Sequence, residues 1–561
     1  MPHSITTEEH NERSPLLGHH QSFPSEYSSS TSIVSGSISD SESSDNDPFR
    51  SLSKLPTDEE SHRGSLLGVF ISNADGSLVL ATHPVIASEF NDLSDSSWLF
   101  TSFALAGAAT QSLYGKLSDI YGRKALVLVA YALFALGCAV VGVGNAMWQV
   151  ILGRVISGAG GAGMTVLVSI LITDLVSLRE VASWRAYVNI VATIGRSLGG
   201  PFGGWLADTI GWRWSFFGQA PLIVIAMLLC WAVLPSHNVK QNLTEPHRSK
   251  ETSSRLARID FLGAALMAAM TLSFLLPIEI GGVKIPWSHP VVPILFSCGV
   301  VLAILFVMTE AWWGKEPIFP LQLLRQRDAV ASYLIMGFQV AAQLGMMFSV
   351  PLYFQITAKA SNTVAGAHLF PAVAGNAIGG ITSGLLINRF GRYKALIVFA
   401  SLSSSISYLL LILRWHGHTD WLESLYIIPG GLGTGIAQSA LFISLQAAID
   451  PAHTAVATSA LYLSATVGMI MGLAGVSTTM QEMLRRALDR RLLGLGYGTR
   501  KRAGIVEKAV SDIGYVHNVT GVVANAVMGA YVEGLGYTHV VSLGCSLLAF
   551  VGSLVLREHK L

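Results

Sequence analysis

From residue 64 onward the chain is a succession of apolar runs, each long enough to cross the ~30 Å hydrocarbon layer of a bilayer as a helix. Fourteen can be delimited: 64–88, 97–117, 125–144, 148–172, 184–206, 214–234, 260–280, 289–309, 329–353, 363–387, 394–413, 422–447, 454–479 and 537–556. Backbone polar groups in lipid must be paired within the protein, which leaves helices and closed barrels. Barrel strands need only ~9–11 residues of alternating polarity. These runs are longer and continuously apolar, so the predicted fold class is an all-α polytopic membrane protein with fourteen transmembrane helices. The seventh and eighth runs contain Pro277 and Pro293 and are less regular.

The charge distribution agrees. Of 36 Lys+Arg and 35 Asp+Glu in 561 residues, 4 basic and 11 acidic side chains fall in residues 1–63, leaving 56 charges for the other 498 residues. Soluble domains carry roughly 25% charged residues, more than twice that density. Lipid is the solvent that fits a mean hydropathy of +0.51. No basic block resembles a nucleic-acid footprint. Cys138, Cys230, Cys298 and Cys545 each sit inside an apolar run, and the histidines form no ligand cluster. Neither a disulfide framework nor a metal site is expected. Phosphate-loop and nucleophile-elbow motifs are lacking, so no enzyme chemistry and no cofactor are implied.

Residues 1–63 are Ser-rich (17 Ser) and acidic, and are expected to be a disordered cytosolic tail without a cleaved signal. Glu12 and Leu16-Leu17 within it fit the acidic dileucine pattern read by sorting adaptors on the way to vacuole or lysosome. With the tail inside, the positive-inside rule orients the spans. Arg123 and Lys124, then Arg179 and Arg185, then Arg389, Arg392 and Lys394 all fall on the cytosolic side. The expected domains are a six-helix half over 64–234, a cytosolic linker over 235–258, two inserted helices over 259–311, and a second six-helix half over 329–556. That second half includes a long lumenal or extracellular loop, 480–536, rich in Arg and Lys and carrying the glycosylation sequon Asn518-Val-Thr520. Asn242 begins a second sequon, on the cytosolic side.

An internal repeat supports the two-half reading. At a constant offset of 269, Gly115, Leu117, Asp119, Gly122 and Arg123 align with Gly384, Leu386, Asn388, Gly391 and Arg392. Internal duplication around a midplane site is a common construction of secondary transporters.

Three motifs carry a family resemblance. Gly115-Lys-Leu-Ser-Asp119-Ile-Tyr-Gly122-Arg123-Lys124 resembles the loop after the second span in the major facilitator superfamily. Gly195-Arg196-Ser-Leu-Gly199-Gly200-Pro201-Phe-Gly203-Gly204 resembles that family's antiporter motif. Gly211-Trp212-Arg213-Trp214 through Pro221 resembles the sixth span of the fourteen-helix drug:proton antiporter branch. Within the branch, residues 75–90 look most like fungal vacuolar basic amino-acid transporters. The resemblance implies a proton antiporter, monomeric, moving small molecules across a lipid bilayer. It implies basic amino-acid import into the vacuole, with plasma-membrane multidrug or siderophore export, or a non-transporting nutrient sensor, as alternatives.

The residues themselves say the following. Gly195, Gly199 and Gly203 recur every four residues, a stripe for close helix packing, and Pro201 removes a backbone hydrogen bond. The stripe is either ordinary packing or, as the family implies, a hinge limiting proton leak. Asp119 and Arg123 can pair at i,i+4, either as a topology-setting loop or as the family's cytoplasmic latch. Arg154 either faces the interior or snorkels to the nearer interface. Asp75 lies mid-span, too deep for a short side chain to reach water, so it lines a cavity, pairs with Arg154 or Arg196, or takes up a proton. Thr82 shares its helical face. Arg196 is also mid-membrane and would repel a cationic substrate unless neutralised. Asp75, Arg154, Arg196 and Thr82 are the candidate coupling residues. Glu279 and Glu310 lie near span ends and read as interfacial.

Overall fold

The computed structural model describes residues 58–560 except 91–97, 177, 235–259, 282–284, 313–318, 320, 361, 418, 420–421 and 512–518. Glu12, Leu16, Leu17, Asn242 and Asn518 lie outside the described residues.

The described chain is helical almost throughout. The first part runs α1 (Asp58–Glu89), α2 (Trp98–Tyr121), α3 (Arg123–Val143), α4 (Met147–Leu175), α5 (Leu178–Thr209), α6 (Trp212–Phe217) and α7 (Gln219–Val233). Then come α8 (Phe261–Ile280) and α9 (Val291–Trp312). The second part comprises α10 (Arg327–Thr357), α11 (Asn362–Ala367), α12 (Phe370–Phe390), α13 (Lys394–Arg414), α14 (Ile428–Ala448), α15 (Thr454–Gly494), α16 (Thr499–Ser511) and α17 (Gly521–Val555). Among the described residues, 11 helices are long and apolar enough to cross a membrane. The helices α1, α2 and α5 are as long, at 32, 24 and 32 residues, but more polar.

Local sequence sets the joints. Gly122 adopts φ 93°, a left-handed conformation that costs glycine nothing and permits the abrupt α2–α3 connection. Its repeat partner Gly391 is left-handed too, at φ 66°, and closes α12 by donating its N–H to the Ile387 carbonyl. Asp260 caps α8, its Oδ1 accepting from Gly263 N at 2.8 Å.

The two halves pack alike. Helix α1 lies against α5 as α10 lies against α15, α2 against α4 as α12 against α14, and α3 against α4 as α13 against α14. The inserted pair α8–α9 packs on itself and touches α2 and α15 through α8. Helix α9 leaves Ile294, Val300, Val301, Ile304 and Trp312 exposed, and α7 leaves Leu222, Ile225, Leu228 and Trp231 exposed. Exposed apolar side chains on helices of this length and hydropathy fit a lipid-facing surface.

One expectation is corrected. Residues 480–536, expected to be a loop, are largely helical: α15 continues to Gly494, α16 fills Thr499–Ser511, and α17 starts at Gly521. The stretch is amphipathic. Ala487, Leu488, Leu492 and Ala509 are buried between these helices while Arg490 and Arg491 reach Glu533 at 3.4 and 3.3 Å. Glu310, near the end of α9, is buried, and its Oε1 accepts from Phe319 N at 3.2 Å.

Candidate substrate and proton site

Asp75 and Arg154 are brought together from the middle of α1 and the first half of α4. Arg154 Nη1 donates to Asp75 Oδ2 at 2.6 Å, with the side chains 1% and 0% exposed. Arg154 Nε donates to the Leu99 carbonyl at 2.9 Å, and the guanidinium lies over the Phe103 ring, 4.4 Å from its centroid. The other Asp75 oxygen accepts from Gln219 Nε2 at 3.3 Å. Taking two ions out of water costs several kcal/mol each, repaid only by good geometry and additional hydrogen bonds. Both ions have these, with one shortfall. Arg154 Nη2 is buried with no partner among the described residues.

The pairing alternatives are thereby resolved: Arg154 faces the interior and takes Asp75, and Arg196 does not. Thr82 is fully buried on the Asp75 face, but its hydroxyl donates to the Leu78 carbonyl at 2.9 Å and does not reach the carboxylate. Gln219 joins the pair from the Gly211–Pro221 motif.

The glycine stripe of α5 faces α1. A Cβ on Gly195 would stand 2.5 Å from the Phe70 carbonyl, one on Gly199 would overlap the Ala74 carbonyl, and one on Gly203 would meet Leu78. Gly200 and Gly204 border the stripe; a Cβ on Gly200 would make ordinary contact with the Ser77 carbonyl at 3.7 Å, Gly204 has open space beside it, and α5 stays helical through position 201. The 269 offset runs on into this feature. Gly468 and Gly472 of α15, the counterparts of Gly199 and Gly203, press on the backbones of Gly337 and Ala341 in α10.

At the end assigned to the cytosol, Arg123 Nη1 donates to Asp119 at 2.5 Å and to Ser118 at 2.6 Å, while its Nε donates to Asp174 of α4 at 2.8 Å. Asp174 was not anticipated, being 51 residues away. Lys124 Nζ caps the last turn of α7 through the Leu234 carbonyl at 2.8 Å. In the second copy Asn388 and Arg392 are exposed, and the loop is held instead by the chain's own end: Tyr393 N donates to Glu558 at 2.7 Å.

The halves meet on this same side. Gly115 fits against Ala455 and Ser459 of α15; a Cβ would stand 2.5 Å from the Ser459 hydroxyl. Arg185, expected in a cytosolic loop, is instead buried within α5. It donates to Ser169 at 2.6 Å and lies 4.6 Å from the Phe442 ring. Ser169 in turn shares a hydrogen bond with Tyr462 at 2.5 Å. Deeper in, Gln111 accepts from Thr466 at 2.9 Å, and Asn189 donates to Asn376 at 2.7 Å. A cleft of about 580 Å³ bounded by Ile356, Lys359 and Met528 lies in the second half and contains none of the Asp75–Arg154 residues.

An all-helical chain with at least eleven apolar helices among the described residues, two similarly packed helical parts and a buried ion pair in the first belongs to the multi-pass membrane transporters, not the enzymes. The chain belongs to the Major Facilitator Superfamily, which residues 65–473 match. It is 32% identical over 502 residues to the vacuolar membrane amino acid uptake transporter fnx2 of Schizosaccharomyces pombe, covering 88% of this chain and 84% of that one. It is 30% identical over 490 residues to the multidrug resistance protein fnx1 of the same yeast, covering 87% and 89%. Among solved structures, the human organic anion transporter MFSD10 superposes with a TM-score of 0.56 at 14% identity, over 88% of this chain and 100% of that one, a likeness of fold.

Proposed function

We propose that the chain is a fourteen-span proton antiporter that carries amino acids, basic ones foremost, from the cytosol into an acidic vacuolar lumen. The observation that carries this reading is the wholly buried Asp75–Arg154 pair. The eleven apolar helices together with α1, α2 and α5 make the fourteen spans. Those three are the more polar because they hold Asp75, Gln111, Arg185 and Arg196. The likeness to fnx2 supports amino-acid uptake, and residues 75–90 support the basic class.

With the halves closed at the cytosolic side, a proton arriving from the lumen neutralises Asp75 and releases Arg154. The freed guanidinium, with one donor already unpartnered, must then find new acceptors, and this change biases the packing of α1, α2 and α4. Asp119, Arg123 and Asp174 act as a latch that parts and reforms as the halves rock, and the α5 glycines act as the hinge beside α1. Return of the pair discharges the proton on the cytosolic side. Leu16 and Leu17 deliver the protein to the vacuole through an adaptor.

Purified protein in proteoliposomes with an imposed pH gradient tests the reading. Labelled lysine or arginine should accumulate against its gradient with counter-movement of protons, and collapsing the gradient should abolish it. Counterflow without pH dependence would defeat the antiport, and binding without counterflow would mark a sensor. The likeness to fnx1 favours a second reading, multidrug export, for which the same vesicles should move cationic dyes and leave amino acids behind.

A further inference from the structure

We infer that Arg196 is the grip for a substrate carboxylate. Arg196 is exposed, and among the described residues it has no ion pair and no hydrogen bond. It lies seven residues beyond Asn189 on α5, 20° short of two full turns, and so shares that residue's face about 10 Å further from the cytosol. Asn189 and Thr193 on this face both reach Asn376 of the other half, at 2.7 and 3.4 Å. Ile194, Leu198, Phe202 and Trp205, between 46% and 58% exposed, occupy the opposite face. Gly195 and Gly199 take the flank against α1. Arg196 therefore points toward the second half, at the level just past the Asn189 and Thr193 hydrogen bonds that join the halves on this face.

An arginine at mid-membrane depth is expensive unless it is paired or lines a cavity. Asp75 does not neutralise it, because that carboxylate is held by Arg154 and Gln219. A planar guanidinium with several free donors matches a carboxylate in two parallel hydrogen bonds. The ligand class is a small molecule with a free carboxylate, and for an α-amino acid the grip is the part common to all side chains. The inference rests on the amino-acid reading above and adds the group by which the substrate is held. It also means that a positive side chain is not what α5 recognises.

The test compares L-arginine with L-argininamide, and 5-carboxyfluorescein with rhodamine 6G, in proteoliposomes of the intact protein and of Arg196→Gln and Arg196→Lys. Monodispersity and melting temperature serve as controls. Loss of a charge-assisted bidentate contact is worth about tenfold or more. The intact protein should favour arginine over the amide by that factor; Arg196→Gln should bring the ratio near one, and Arg196→Lys should keep part of it. Should Arg196→Gln misfold, a reduced ratio in Arg196→Lys supports the inference and an unchanged one overturns it. Equal transport of acid and amide by the intact protein, or a preference surviving in Arg196→Gln, overturns the grip and leaves amino-acid transport standing. Arg196-dependent transport of carboxyfluorescein without amino acids overturns the amino-acid reading and upholds the grip. Movement of rhodamine 6G alone, indifferent to Arg196, overturns both.

Discussion

Gly199 and Gly468, 269 residues apart, occupy the same place in the two halves: each lets α5 or α15 lie directly on the backbone of the first helix of its half, at Ala74 and Gly337. A methyl group at either position has nowhere to go without separating two helices. Gly199→Ala and Gly468→Ala should each destabilise the protein by about 1–3 kcal/mol, the usual cost of overpacking, and should slow transport. Gly204→Ala, with open space around it, should do neither. Melting temperatures in detergent with initial uptake rates check this; equal effects at 199 and 204 would count against the packing account.

Removing the Asp75 charge leaves Arg154 buried and uncompensated, which typically costs about 3–5 kcal/mol. Asp75→Asn should therefore lower the amount of folded protein as well as abolish pH-driven uptake. The double change with Arg154→Gln should restore abundance without restoring coupling. Asp75→Glu should retain partial activity. Fluorescence-detected size exclusion reads abundance and a pH-sensitive dye inside the vesicles reads coupling; proton-driven uptake at normal rates in Asp75→Asn would dismiss the assignment.

Tyr462→Phe deletes the hydroxyl that Ser169 meets across the halves. One hydrogen bond is worth about 1 kcal/mol, or roughly fivefold in an equilibrium between two states. In a protein freed of its native cysteines, Ser459→Cys at the closed end should react faster with a cytosolic maleimide once Tyr462→Phe is added. An unchanged labelling rate would show that this bond does not hold the end shut.

Glu89, at the far end of α1 beyond the span 64–88, accepts from Trp212 Nε1 and from Arg213 Nη1, both at 2.5 Å. The Trp212 hydrogen bond first, and the Arg213 guanidinium with it, hold its carboxyl below the ordinary value of 4.5. The folded state thus favours the ionised form, so this contribution is complete above pH 4.5 and fades as the pH falls from there through the lower folded value. The clasp should remain intact at pH 5–6. Melting temperature should decline on the acid side of pH 4.5, and Glu89→Gln should flatten that decline; an identical acid limb in the variant would remove Glu89 from the account.

Sorting gives the last expectation. Replacing Leu16 and Leu17 with Ala should move a fluorescent fusion from the vacuolar rim to the plasma membrane, with transport by the purified protein unchanged. An undisturbed rim would place the address elsewhere in the chain.

The helical membrane fold, the internal repeat and the burial of Asp75 were legible because hydropathy and helical periodicity are properties of the local sequence. The partner of Asp75 was not, because Arg154 and Arg196 both lie within apolar spans and only the crossing of α1, α4 and α5 chooses between them. Arg185 was misplaced because a basic residue early in a span reads like a loop charge; aromatic rings at Phe442 and Tyr462, 257 and 277 residues away, are what shelter it. Asp174 was hidden by the same kind of separation. Gly468 and Gly472, by contrast, were within reach, since the 269 repeat already predicts small residues there. The Arg-rich stretch after residue 480 reads as a loop because its charges end the apolar run, but a helix need not stop where hydropathy does.

That last point has a mechanical consequence. Helix α15 is 41 residues long, or about 62 Å at 1.5 Å per residue, roughly twice the hydrocarbon thickness. At that length the helix outruns the hydrocarbon layer, and its final turns, packed on α17 and α16, form a stiff mast rooted in the second half. A mast of ~20 Å converts each ten degrees of tilt at its root into about 3.5 Å of travel at its tip, so a spin label or fluorophore near Gly494 would act as the pointer on a dial that reads which way the carrier is facing.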